Sequence, residues 1–141
     1  MKKLVTTSFV YAIISLLAGA FYREFTKFMA HTTATSLSVV HTHLMVLGSV
    51  FFLILGLFAA TTDLLEKAKA DRTIRLYNFS VIAVTAMMFL RGVVQVVLPD
   101  PSKAVDAAIS GVAGISHVFL FVMVILLFNV LRSVKPLATQ E

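Results

Sequence analysis

Two histidines stand two residues apart in His41-Thr-His43, at the mouth of an apolar run that continues to Ala60. His117 lies inside a second apolar run and Arg91 inside a third. Ionisable side chains within membrane-type sequence are costly and mark functional sites by default. Neutral imidazoles on facing helices are the usual axial ligands of a b-type haem iron, so the chemistry these residue types suit best is haem ligation. His41, His43 and His117 are the candidate iron ligands. Arg91, Arg23 or Lys27 could meet the propionates, because guanidinium and ammonium groups pair well with carboxylates. Tyr22, Gly48 and Gly114 complete the candidate haem-binding set, the glycines as gaps beside a flat macrocycle. No catalytic group is singled out, so the pattern reads as a binder rather than an enzyme.

The elements that must position these residues follow from composition. The chain has 141 residues, 59% of them hydrophobic and 13% charged, and a mean hydropathy of +0.94. Soluble domains carry about 25% charged residues, so lipid rather than one soluble core must cover much of this apolar surface. The absence of cysteine removes disulfides, thiolate ligands, iron–sulfur clusters and c-type haem attachment. The net charge of +5 comes from basic residues concentrated in loops and ends, which indicates membrane orientation rather than nucleic-acid binding.

Four spans of membrane-crossing length are expected at residues 4–22, 39–62, 76–98 and 107–131. The first competes with a secretory signal, since Met-Lys-Lys and Ala18-Gly19-Ala20 resemble one. A small and polar stripe at helical spacing, Ser8, Tyr11, Ser15, Ala18, Gly19 and Tyr22, favours a retained helix that packs on others. The third span stops at Pro99-Asp-Pro101. The expected fold is therefore an all-α, integral membrane four-helix bundle forming a single transmembrane domain over 1–141.

With both termini cytoplasmic, that side holds eight Lys and Arg residues against three opposite (Arg23, Lys27 and Lys103), which favours this orientation in a bacterial cytoplasmic membrane. At about 1.5 Å per residue, His41, His43, Arg91, Gln95 and His117 then share the outer half of the bilayer. Helical spacing groups His41 with Met45, Gly48, Phe52, Gly56 and Ala59. It groups Arg91 with Tyr77, Ser80, Val84, Met87 and Gln95, and His117 with Ser110, Gly114, Phe121 and Phe128. These three stripes are expected to face inward. His117 is the expected deep ligand. Facing favours His41 as its partner and depth favours His43; His41 is preferred, with His43 as a second ligand, either to another haem or across a dimer contact. His31, in a loop, is expected to have no ligand role.

The segments Phe21-Tyr-Arg-Glu-Phe-Thr-Lys27, Leu37 to Gly48 with its His-Thr-His, Arg91-Gly92 and Ala107 to His117 resemble a family of small four-helix bacterial membrane proteins typified by the heme-sensing membrane protein HsmA. The resemblance spans nearly the whole chain and is most specific at His41-Thr-His43. It implies a protein that binds haem b in the membrane, limits its toxicity and aids oxidative-stress defence. The same motif resembles the haem-ligating helix of haem–copper oxidases, but this chain has too few helices and histidines for such a centre. Two rival functions stand beside haem sequestration or sensing: a quinol-linked, b-type cytochrome-like electron-transfer protein, and a small transporter without haem. The expected partners are haem, the lipid bilayer and a second copy of the chain; nucleic acid is not among them.

Overall fold

The computed structural model describes residues 1–98 and 100–137; Pro99 of the expected breaker and the last four residues of the polar tail lie outside them. Four helices are present among the described residues: α1 (Lys2–Phe28), α2 (Leu37–Thr61), α3 (Ala70–Val97) and α4 (Lys103–Leu131). Each is long and apolar enough to cross a membrane, the pattern of a multi-pass membrane protein. α1 runs past the expected Tyr22 to Phe28, and α3 begins at Ala70 rather than Leu76. Hydropathy marks only where the apolar stretch ends. Residues such as Glu24, Lys27 and Arg72 are good helix formers, so the helices continue beyond it.

Consecutive helices run antiparallel, so the histidines, Arg91 and Gly114 share one end of the bundle and the chain's tail lies at the other. α2 is the centre of the first half. Gly48 takes the Tyr11 ring, Gly56 takes Val5, and Gly19 of α1 faces His41. Gly92 of α3 admits the backbone of Leu37. Without a hydrophobic drive between helices in lipid, such small residues permit the close contact that holds them together. Tyr11, Phe52 and Tyr77 form the aromatic middle of the core, with Tyr11–Phe52 and Phe52–Tyr77 ring centroids each 5.8 Å apart. α4 is an edge helix that packs chiefly on α3. Only Ser116, Met123 and Leu127 are buried along it, while Ile115 and Phe121 remain 70% and 65% exposed, as lipid-facing side chains would be.

α2 is not uniform. Leu44–Val50 forms a π-helix between two α-helical segments. A π stretch turns less per residue than an α-helix and disturbs the usual carbonyl ladder. In lipid, a backbone group left without a partner is expensive. Here side chains from neighbouring helices supply bonds. Tyr77 donates to the Leu47 carbonyl at 2.9 Å, Ser8 to the Ser49 carbonyl at 2.8 Å, and Ser15 to the His41 carbonyl at 2.7 Å. Tyr77→Phe should therefore cost about 1–3 kcal/mol by stranding a buried carbonyl. Denaturation by sodium dodecyl sulfate in mixed micelles measures this. An unchanged midpoint would mean that the π stretch does not need the phenol.

The tail end is closed by a clasp between the α2 terminus and the residues after α4. Thr62 and Pro136 form an isolated antiparallel bridge. Asp63 N donates to the Lys135 carbonyl and Leu137 N to the Thr61 carbonyl, each at 3.0 Å. The Asp63 carboxylate accepts from the Lys135 amide at 2.8 Å and pairs with Lys67 at 2.8 Å. Lys67, and then the Lys135 amide, hold the Asp63 carboxyl below its ordinary pKa.

Candidate functional site: two histidines flanking helix α3

His43 and His117 share a local geometry. The Nδ1 atom of His43 lies 2.8 Å from the Val39 carbonyl, and that of His117 lies 2.8 Å from the Ala113 carbonyl, each four residues earlier. A carbonyl oxygen can only accept, so both Nδ1 atoms carry the proton. In a neutral ring this arrangement leaves Nε2 as the lone-pair nitrogen that can bind iron, with its orientation fixed by the Nδ1 bond.

Their positions match as well. Leu37 packs on Gly92, and Arg91 hydrogen-bonds Ser110. Counting six residues along α2 from Leu37 and back along α3 from Gly92 brings His43 level with Ala86. Counting through Arg91 and Ser110 brings Ala86 level with Ile115. Counting instead from Phe79 and Phe119, whose rings lie 6.1 Å apart, sets Ala86 level with Val112, so His43 and His117 differ in height by roughly 3–8 Å at about 1.5 Å per residue. Both also sit on the flanks by which α2 and α4 approach each other. Phe51 stacks toward Tyr77 at 4.9 Å and meets Phe128 of α4 at 6.4 Å between ring centroids. His117 lies eleven residues before Phe128, almost a whole number of α-helical turns. The slower turning of the π-helix brings His43 and Leu47 toward the Phe51 flank. Gly114 beside His117 is open, with no atom within 4 Å of where a Cβ would stand.

His117 is exposed, as are most residues of the stripe expected to face inward. Gly114, Phe121 and Phe128 all lie on the surface. The buried stripe instead contains Ser116, Met123 and Leu127. α4 is apolar on every side, so its hydropathy carries no facing signal. As an edge helix it buries only the side touching α3, and His117 falls beside that contact.

His41 follows α1 instead. Its Cβ and Cγ lie 3.7 Å from where a Cβ on Gly19 would stand, and its carbonyl accepts from Ser15. Its Nδ1 is buried with no hydrogen-bond partner among the described residues. Gly48, expected to make room for a macrocycle, is filled by Tyr11; an added Cβ would lie 2.4 Å from that ring. Tyr22 and Arg23 are on α1, remote from α4, and Arg23 is exposed beside Glu24 at 3.7 Å. Among the described residues, no group of three or more His, Asp or Glu side chains converges as a metal site. This leaves a two-imidazole arrangement as the donor set to test.

Arg91 caps this end. It donates to Ser110 and lies 3.5 Å from Asp106. With Gln95, His31, Thr35 and Asp106 it lines a cavity of about 330 Å³. Gln95 accepts from the Ser36 amide at 2.8 Å, and His31 Nε2 lies 2.8 Å from the Thr33 hydroxyl. Sequence reasoning missed Asp106 and grouped Ser110 only with His117, although their spacing of four on one helix face opposite Arg91 was available there.

The family described as a protein of unknown function, DUF2871, matches residues 1–134. This chain belongs to the DUF2871 family. No curated protein and no solved structure matches it. The family's description names no cofactor, so for this DUF2871 member a ligand has to be argued from its residues.

Proposed function

We propose that this protein binds haem b between α2 and α4 and sequesters or senses it within the membrane, with His43 and His117 as axial ligands. The observation that carries the reading is the matched pair of Nδ1 bonds, which leaves the two Nε2 atoms free for a ligand at the same end of the two helices flanking α3. Haem held by His43 and His117 would supply iron chemistry suited to storage or one-electron transfer. Gly114 leaves room beside one ligand. Arg91 is positioned to pair with a propionate at the polar end of the cleft. His43 replaces His41, the partner preferred from the sequence, because the His41 ring packs on Gly19 of α1.

A visible spectrum of the purified protein tests this directly. A Soret band with sharp α and β bands on reduction is expected. A protein that stays colourless after haem addition would sink the proposal.

One observation favours electron transfer as a second reading: Arg91, Gln95 and His31 line a single cavity near the histidines, of a kind that could take a quinol ring. Reduction of the bound haem by quinol in membranes separates this reading from sequestration.

We place the histidine end on the outer side of a bacterial cytoplasmic membrane, with both termini inside, on the eight-to-three bias of Lys and Arg. Reporter fusions at Glu141 and near Lys67 should both read as cytoplasmic. An external signal from either would invert this placement.

A further inference from the structure

Among the described residues, the tail end holds a polar cavity of about 670 Å³ between the start of α3 and the end of α4. Its lining is graded. Lys67, Lys69 and Arg72 stand at the loop and the first turn of α3, while Leu76, Leu126 and Val130 continue along the apolar parts of the helices. Thr73, Asn129 and Ser133 add hydroxyl and amide groups between the two zones. Among the described residues no carboxylate lines it. Lys67 is already paired with Asp63, but Lys69 and Arg72 form no ion pair among the described residues, whereas Arg75 outside the cavity pairs with Asp71 at 2.8 Å. The α3 N-terminus also lacks a side-chain cap, which adds partial positive charge on the same side.

We infer that this cavity binds the phosphate headgroup of an anionic phospholipid, with an acyl chain lying along Leu76, Leu126 and Val130. A site that passes from uncompensated cations to aliphatic side chains at the end of a membrane helix suits an amphiphile with an anionic head. Basic pockets between membrane helices hold lipid phosphates in this way. A soluble phosphate would use the cations alone and leave the aliphatic wall without a partner. The inference does not depend on haem.

The test uses the full chain in detergent, scored by lipid retention in native mass spectrometry and by thermal stability. Phosphatidylglycerol should be retained and should stabilise the protein, while phosphatidylcholine and inorganic phosphate should do neither. The double variant Lys69→Gln, Arg72→Gln should lose phosphatidylglycerol retention by roughly 30-fold, at about one cation's contribution each. Leu126→Trp, which fills the apolar half and keeps the cations, should also lose it. Arg75→Gln should retain it. Equal stabilisation by inorganic phosphate would overturn the inference in favour of a soluble anion. Loss in Arg75→Gln as large as in the double variant would overturn it in favour of diffuse surface charge. Full retention in Leu126→Trp would rule out the acyl wall.

Discussion

His117→Ala and His43→Ala should each abolish the low-spin spectrum of the haem-loaded protein, and His41→Ala should keep it. Removing either axial imidazole leaves iron with one strong protein ligand, so the sharp reduced α band collapses. Haem retention should fall by at least roughly tenfold, a loss that even an outer-shell partner can cause. His41 differs because its ring packs on Gly19 and its carbonyl is bonded to Ser15. His41→Ala should lower stability through lost packing while leaving the spectrum in place. His31→Ala should leave both unchanged, and Arg91→Ala should weaken haem retention without changing the ligation signature. Optical spectra of the purified variants decide between these outcomes. Full low-spin haem in His117→Ala would put the site elsewhere, and loss in His41→Ala with retention in His43→Ala would exchange the two candidates on α2.

Gly92→Ala should be among the most damaging single-methyl changes in the molecule. Its added Cβ would lie 2.4 Å from the Leu37 backbone nitrogen and 2.5 Å from the Leu37 side chain. A side chain can rotate away, but a helix backbone must move as a body. Overpacking of this kind costs about 1–3 kcal/mol and sometimes more. Gly48→Ala meets Tyr11 Cγ at the same distance and its Cβ at 2.9 Å, the root of a buried side chain that cannot swing away, so its cost should be comparable. Gly114→Ala meets nothing within 4 Å and should be neutral or slightly stabilising, because alanine favours helix by up to about 1 kcal/mol. Mixed-micelle denaturation of the three variants gives the ranking. A Gly92→Ala protein as stable as Gly114→Ala would show that α2 and α3 do not meet as closely as described.

The four helices were legible in the sequence because runs of about 20 apolar residues, broken by charged or Pro-containing segments, match the thickness of a bilayer and little else. The Gly48–Gly56 face of α2 was legible too, since small residues at helical spacing mark close contact. The facing of α4 was not. Its histidine was assigned inward because polar groups in lipid usually are, but an edge helix offers a flank that is neither core nor open lipid. The relation of His43 to Phe51 was hidden for a different reason. Periodicity arguments assume 3.6 residues per turn, and nothing in Leu44–Val50 announces a π-helix. What stabilises that stretch is Ser8, Ser15 and Tyr77, which lie on other helices and are linked to it only once the chain has folded.

The clasp at the tail end gives α4 an uneven anchorage. Below, the strand of chain after α4 is tied to the end of α2 by backbone bonds and by Asp63. Above, Arg91 holds it through Ser110 and Asp106, both side-chain contacts. Main-chain bonds reinforced by a carboxylate resist separation better than one guanidinium at a surface. The fourth helix therefore resembles a gate post with a fixed foot and a latch near its head. Losing the Arg91 contacts would loosen the head of α4, while its foot stays tied to α2 and its length stays packed on α3.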